Sequence, residues 1–228
     1  KWCVIMMLNT RIMKKIILLL AVIIGFAANV KASHVLGGEI SWRCLPNGQY
    51  IFSMSIYRDC TGVQWTFQNE TINIVGNPLP RNGISGPVVS TITMLPDRVR
   101  FQASNNGDTS PDCIPYEQQP KSCANRDQGT VQQFTYNSNP VTLSGTPPSA
   151  GWKFFWTSPC CRPGDIENVN TNGSMLLRAV MYPLPGGLPA DPCFDSSPNF
   201  RALPATLICR GYDFTYNHTA IDDDLDSL

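Results

Sequence analysis

The chain predicts an all-β protein, an antiparallel immunoglobulin-like sandwich or a pair of them, with loops stapled by disulfides. Three observations carry that prediction. Apolar residues recur with a period of two, Gly and Pro pairs cut the chain into short runs, and eight cysteines follow a segment marked for export.

The export mark comes first. Met13 is followed by Lys14 and Lys15, then by an apolar run from Ile16 to Ala28, then by Val30-Lys31-Ala32 ahead of Ser33. A positive start, a short apolar centre and small or apolar residues before the cut are the parts of a secretory signal peptide. The run is too short to span a bilayer, which takes about 20 residues. Residues 13–32 therefore read as the signal and 1–12 as translation upstream of the true start, since residue 1 is Lys and Met13 is the best-placed Met. Cleavage after Ala32 leaves no membrane span and sends the chain to the cell surface or beyond. It also makes Ser33 the first residue, so His34 is misplaced for a copper site built on an N-terminal His.

Removing the signal changes the charge. Twelve of the 17 basic residues and all 17 acidic ones lie beyond Ala32, a net charge of −5. With only Lys121 and Lys153 as lysines there, no basic face is available for nucleic acid or anionic lipid.

The strands follow in order. Glu39–Cys44 and Gln49–Tyr57 flank Pro46-Asn47-Gly48, which reads as a hairpin turn. Tyr50, Phe52, Met54 and Ile56 alternate with Ile51, Ser53, Ser55 and Tyr57, as in a strand with one buried face. Trp152, Phe154 and Trp156 repeat the pattern, as do Met175, Leu177, Ala179 and Met181. Asn82-Gly83, Asn106-Gly107, Pro147-Pro148, Asn172-Gly173 and Gly186-Gly187 break the remainder into short pieces. No mature window carries a helical stripe. Ser104 to Asp127, polar and containing two cysteines, reads as a long stapled loop.

The mature cysteines are Cys44, Cys60, Cys113, Cys123, Cys160, Cys161, Cys193 and Cys209. None forms the close Cys-x-x-Cys type of pair that zinc sites use, and an even count in an exported chain points to disulfides. Adjacent Cys160 and Cys161 reach different partners, and Cys113 with Cys123 is the pairing that would close the polar loop locally. The connectivity as a whole stays open.

Catalytic chemistry is thinly supplied. His34 and His218 are the only histidines, and no nucleophile-elbow pattern occurs. Glu39 and Glu70 fall in strands and read as outward, solvated residues. Asp222, Asp224 and Asp226 alternate near the end of the sequence; their oxygens suit Ca²⁺, though three carboxylates make only part of its shell. Tyr57, Trp65, Trp152 and Trp156 offer aromatic faces on which a sugar could stack, with Trp152 and Trp156 expected in the core instead.

Taken together these residues resemble the N-terminal region of the large secreted cell-surface proteins of Bacteroidota, the gliding-motility-associated or adhesin-like proteins exported by type IX secretion. The likeness runs through Ala32-Ser33-His34-Val35-Leu36-Gly37-Gly38-Glu39-Ile40, Trp42 and Cys44. It continues in Tyr57-Arg58-Asp59-Cys60 and Cys160-Cys161-Arg162. It closes in Cys193, Ser197-Pro198-Asn199-Phe200, Pro204, Ile208-Cys209 and Phe214 through Leu228. It implies a β-rich module over 33–210, with 211–228 opening a following repeat, so that the chain is the first part of a longer protein. Leu225 stands where such proteins carry Gly, which weakens a tight calcium turn.

The resemblance implies a non-enzymatic surface or adhesion module for a glycan or protein ligand. Two other readings stand beside it: an accessory domain of a secreted polysaccharide-degrading enzyme, and a structural envelope protein.

Overall fold

The structure, a computed structural model, describes residues 14–15, 35–75, 90–109, 122–143, 147–158, 173–183, 195–200, 213, 215, 217 and 219–222. Two compact units divide the chain, Lys1–Lys31 and Ala32–Leu228. In the first, Lys14 and Lys15 are helical and exposed.

The second unit is built from strands β1 (Val35–Cys44), β2 (Tyr50–Asp59), β3 (Glu70–Val75), β4 (Ser90–Pro96), β5 (Val131–Ser138), β6 (Trp152–Thr157) and β7 (Leu176–Met181). All their pairings are antiparallel, in the order β1-β2-β5-β4-β3-β6-β7. Divided between β4 and β3, that order is the four-plus-three arrangement of a constant-type immunoglobulin sandwich. Here the two layers stay joined, because β4 pairs with β3 along Ser90–Met94 and with β5 along Met94–Pro96. A strand that changes sheets in this way makes the corner of a sandwich. The sequence-predicted fold class is the one observed.

The layers meet through aromatic side chains. Phe52 of β2 and Trp42 of β1 lie 4.8 Å and 5.4 Å, centroid to centroid, from Phe154 of β6. Tyr50, Phe52, Met54 and Ile56 are all buried, as their alternation requires. Each such side chain removed from water contributes about 1.5–3 kcal/mol. At the open side, β7 approaches β1 closely enough that a Cβ on Gly38 would sit 2.7 Å from Leu177 Cδ1 and would meet the Ser55 carbonyl oxygen.

The β1–β2 hairpin forms where Pro46-Asn47-Gly48 predicted it. Leu45 and Gln49 close the turn, and Gly48 takes a φ of 76° that favours glycine. A segment further along, Asp195 to Ser197, lies along β1: Ser197 donates its N–H to the Trp42 carbonyl at 2.9 Å, and its Oγ accepts from the Trp42 N–H at 2.8 Å. Beyond it a two-stranded ribbon joins β8 (Asn199–Phe200) to β9 (Ala220–Ile221). Part of residues 211–228, expected to open a following repeat, is thus hydrogen-bonded to a piece of the main module.

One end of the sandwich carries the β2–β3 connection and the described part of the β4–β5 connection. The β4–β5 connection includes a short helix, Arg98–Ala103, whose first turn is capped by the Asp97 side chain accepting from the Arg100 N–H at 2.9 Å.

Candidate functional site

The connection-bearing end is organised by Tyr57-Arg58-Asp59-Cys60. Arg58 points inward, pairs in register with Gln132, and is 6% exposed. Its Nη1 donates to the Val63 carbonyl at 2.6 Å and its Nη2 to Gln132 Oε1 at 2.7 Å. Burial, and then the nearby Arg126 charge, push the Arg58 pKa down. Asp59 folds the next turn, its Oδ1 accepting from both the N–H and the hydroxyl of Thr61 at 2.8 Å. Cys60 forms a disulfide with Cys123. Arg126 adds two bonds from Nη2, to the carbonyls of Thr61 and Gly62 at 2.7 and 2.9 Å.

The disulfide corrects the expectation of a local Cys113–Cys123 link. The turn at residues 122–127 is docked on the end of β2: Cys60 donates to the Thr130 carbonyl, and Cys123 donates to Asp108 Oδ2. Cys123 is thereby carried to Cys60. Cys44 is also disulfide-bonded, and its partner lies outside the described residues, as do Cys113, Cys160, Cys161, Cys193 and Cys209.

Held in this way, the β2–β3 connection lays Trp65 and Phe67 against Phe101 of the helix and Phe134 of β5. Phe67 and Phe101 are 4.9 Å apart, and Phe101 stacks on Phe134 at 5.1 Å. Trp65 Nε1 donates to the Tyr136 hydroxyl at 2.8 Å, fixing the indole. Burial raises the Tyr136 pKa, so this hydroxyl stays protonated. Arg98 lies over the Phe67 ring at 5.4 Å and donates from Nη2 to the Phe67 carbonyl at 2.7 Å.

These aromatics floor a pocket of about 190 Å³, rimmed by Gln64, Gln102, Asn106 and Gln132. Gln132 is committed at both ends, to Arg58 and to the Asn106 carbonyl. The amides of Gln64, Gln102 and Asn106 make no hydrogen bond to a described residue. Asn106 stands in a run of left-handed residues, with φ of 51° at Asn105, 58° at Asn106 and 74° at Gly107. Gly107 is required there: a Cβ would strike the Gln133 carbonyl oxygen and Phe101. Backbone of this kind is held only where its surroundings dictate it, and it clusters at ligand sites. No carboxylate, histidine or cysteine is among the described residues lining the pocket.

A larger cleft, of about 470 Å³, opens on the outer face of β1, β2 and β5, with Ser41, Ser53 and Asn137 on its floor and Asn199 on its wall. The Ser53 and Asn137 side chains bond each other at 2.8 Å, and Asn137 donates to Asp97 at 3.1 Å. It offers no exposed aromatic face, since Trp42 is buried.

The other sequence candidates are scattered. Tyr57 and Trp156 are buried, Trp152 is half-buried, and Trp65 lines the pocket described above. Asp222 is buried after β9, while Asp224 and Asp226 lie outside the described residues, as do His34 and His218. Among the described residues no three metal-ligating side chains come together. Glu39 and Glu70 are not solvated as expected. Glu39 accepts from the Tyr57 hydroxyl at 3.3 Å and Glu70 from Trp156 Nε1 at 3.0 Å, and burial raises the pKa of both.

Phe67, Phe101, Gln102 and Asn106 escaped the sequence reading. They sit in connections without a period, and only Asn106-Gly107 carried a turn signal. No protein family, curated protein or solved structure matches the chain.

Proposed function

We propose that this is an exported, non-enzymatic surface module, the N-terminal part of a longer multidomain cell-surface protein, and that it grips its ligand at the Trp65 pocket. The observation that carries the reading is a rigid, aromatic-floored pocket whose rim bears three amides with no partner among the described residues. Connections at one end of an immunoglobulin-type sandwich are where such folds place binding loops. Export is supported by the signal pattern at Met13–Ala32 and by the Cys60–Cys123 disulfide. Among the described residues no helix is long and apolar enough to cross a membrane.

The test is attachment. Beads coated with the full chain are placed on mucin, cellulose and fixed bacterial cells. Attachment to at least one of these, lowered about tenfold by Gln102→Ala with Asn106→Gly, is the expected result; two lost hydrogen bonds correspond to that loss. Attachment unchanged by the double substitution overturns the assignment.

A further inference from the structure

We infer that the pocket takes one neutral sugar residue, its apolar face against the aromatic floor and its hydroxyls shared among Gln64, Gln102 and Asn106. The inference rests on the reading of this pocket as the binding site.

The chemistry of the rim argues for hydroxyls. A primary amide presents two donors and an acceptor oxygen with two lone pairs, so it answers a hydroxyl in either sense without desolvating a charge. Three such amides around one opening suit a ligand with several neighbouring hydroxyls. An aliphatic side chain entering the same space would cover these amides and leave them unpaired, a cost of about tenfold or more in affinity per group.

The floor argues for a ring with C–H groups on one side. An aromatic face is electron-rich, and polarised C–H groups lie against it favourably. Trp65, Phe67 and Phe101 are each partly exposed at this pocket.

The amides favour a neutral ligand, and the charge on the lining argues against a basic one. Among the described lining residues the one cation, Arg98, keeps its charge but is held against the Phe67 ring and carbonyl. Among the described lining residues no carboxylate is present to attract a basic group.

The size argues for a single residue. At about 190 Å³ the pocket falls below the roughly 300–1,000 Å³ of sites that enclose a drug-sized ligand. One ring enters and the rest of the glycan stays outside. Preorganisation by Arg58, Arg126 and the disulfide spares the ordering cost that a loose loop would impose on so small a ligand.

The full chain is probed with immobilised oligosaccharides ending in glucose, galactose, mannose or N-acetylglucosamine, with oligosaccharides ending in a uronate or sialate, and with a panel of peptides. The expected result is binding to at least one neutral-ended set, displaced by the matching free monosaccharide at about millimolar concentration. Tryptophan emission changes on binding. Gln102→Ala and Asn106→Gly, the latter keeping the left-handed backbone, each weaken it by about three- to tenfold with unchanged Tm, and Asn139→Ala, exposed and outside the pocket, leaves it unchanged. Preference for acidic-ended sugars or peptides overturns the inference.

Periodate oxidation of the target surfaces, which destroys neighbouring hydroxyls, separates the two levels of failure. Bead attachment that survives periodate yet falls with the amide variants refutes the sugar and keeps the site. Attachment indifferent to the amide variants refutes the site itself.

Discussion

Arg58 reaches across the end of the sheet to the carbonyl of Val63, 2.6 Å from Nη1. This contact, with the second from Nη2 to Gln132, ties the β2–β3 connection to the strand that precedes it. Arg58→Lys leaves one buried point charge where a planar fork bridged two acceptors. The expected cost is about 2 kcal/mol, a fall in Tm of about 4–8 °C for a domain of this size. Hydrogen exchange at residues 61–68 should quicken as well. Unchanged exchange there would mean that Arg58 does not set the loop.

The Cys60–Cys123 bond closes a loop between residues 63 apart in sequence. Loop entropy alone makes such a link worth about 4 kcal/mol. The double substitution to Ser should lower Tm and weaken ligand binding together, because the same bond holds the pocket wall. Peptide mapping without reductant should recover Cys60 joined to Cys123; a Cys113–Cys123 peptide would contradict the structure.

Gly37 and Gly38 are neighbours with opposite tolerances. A Cβ on Gly38 meets backbone and Leu177, whereas one on Gly37 meets nothing within 4 Å. Gly38→Ala should therefore cost about 1–3 kcal/mol by overpacking, and Gly37→Ala should be close to neutral. Thermal melts of the two variants decide it, and equal losses would sink the account of β1 closing on β7.

Glu39 and Glu70 give a pH dependence of definite sign. Burial raises both carboxyl pKa values in the fold. Their contribution to stability is fully present below the ordinary carboxylate range and is lost as pH rises through the raised folded values. Glu39→Gln keeps an acceptor for Tyr57 and removes the charge. It should raise Tm by about 1–2 °C at pH 7 and by nothing at pH 4, where the native carboxyl is already protonated. A gain that persists at pH 4 would point to packing instead.

The strands were legible because burial imposes a period of two, and the Tyr50-to-Ile56 alternation records it directly. The far end of β2 departs from that pattern. Ser55, Tyr57 and Arg58 are buried on both faces of the strand, where polar partners such as Glu39, Gln132 and Gln133 meet them, and no apolar pattern announces a polar contact. The pocket was legible only at Trp65. Its other walls come from the helix, the Asn106 turn and β5, brought together by hydrogen bonds between residues far apart in sequence, as with Arg126 and Thr61, 65 positions apart. The Cys60–Cys123 pairing was hidden for the same reason: it depends on where the 122–127 turn docks, and spacing does not encode that.

The bonds between Ser197 and Trp42 join residues 155 apart in sequence, and this places the fold in time. β1 precedes the other described strands in the sequence, and its outer backbone groups acquire these partners only after most of the module has followed. Until then the strand offers a ladder to any other chain nearby. A chain of this design completes the edge of β1 late, so the interval between the arrivals of Trp42 and Ser197 is when it is most exposed to mispairing.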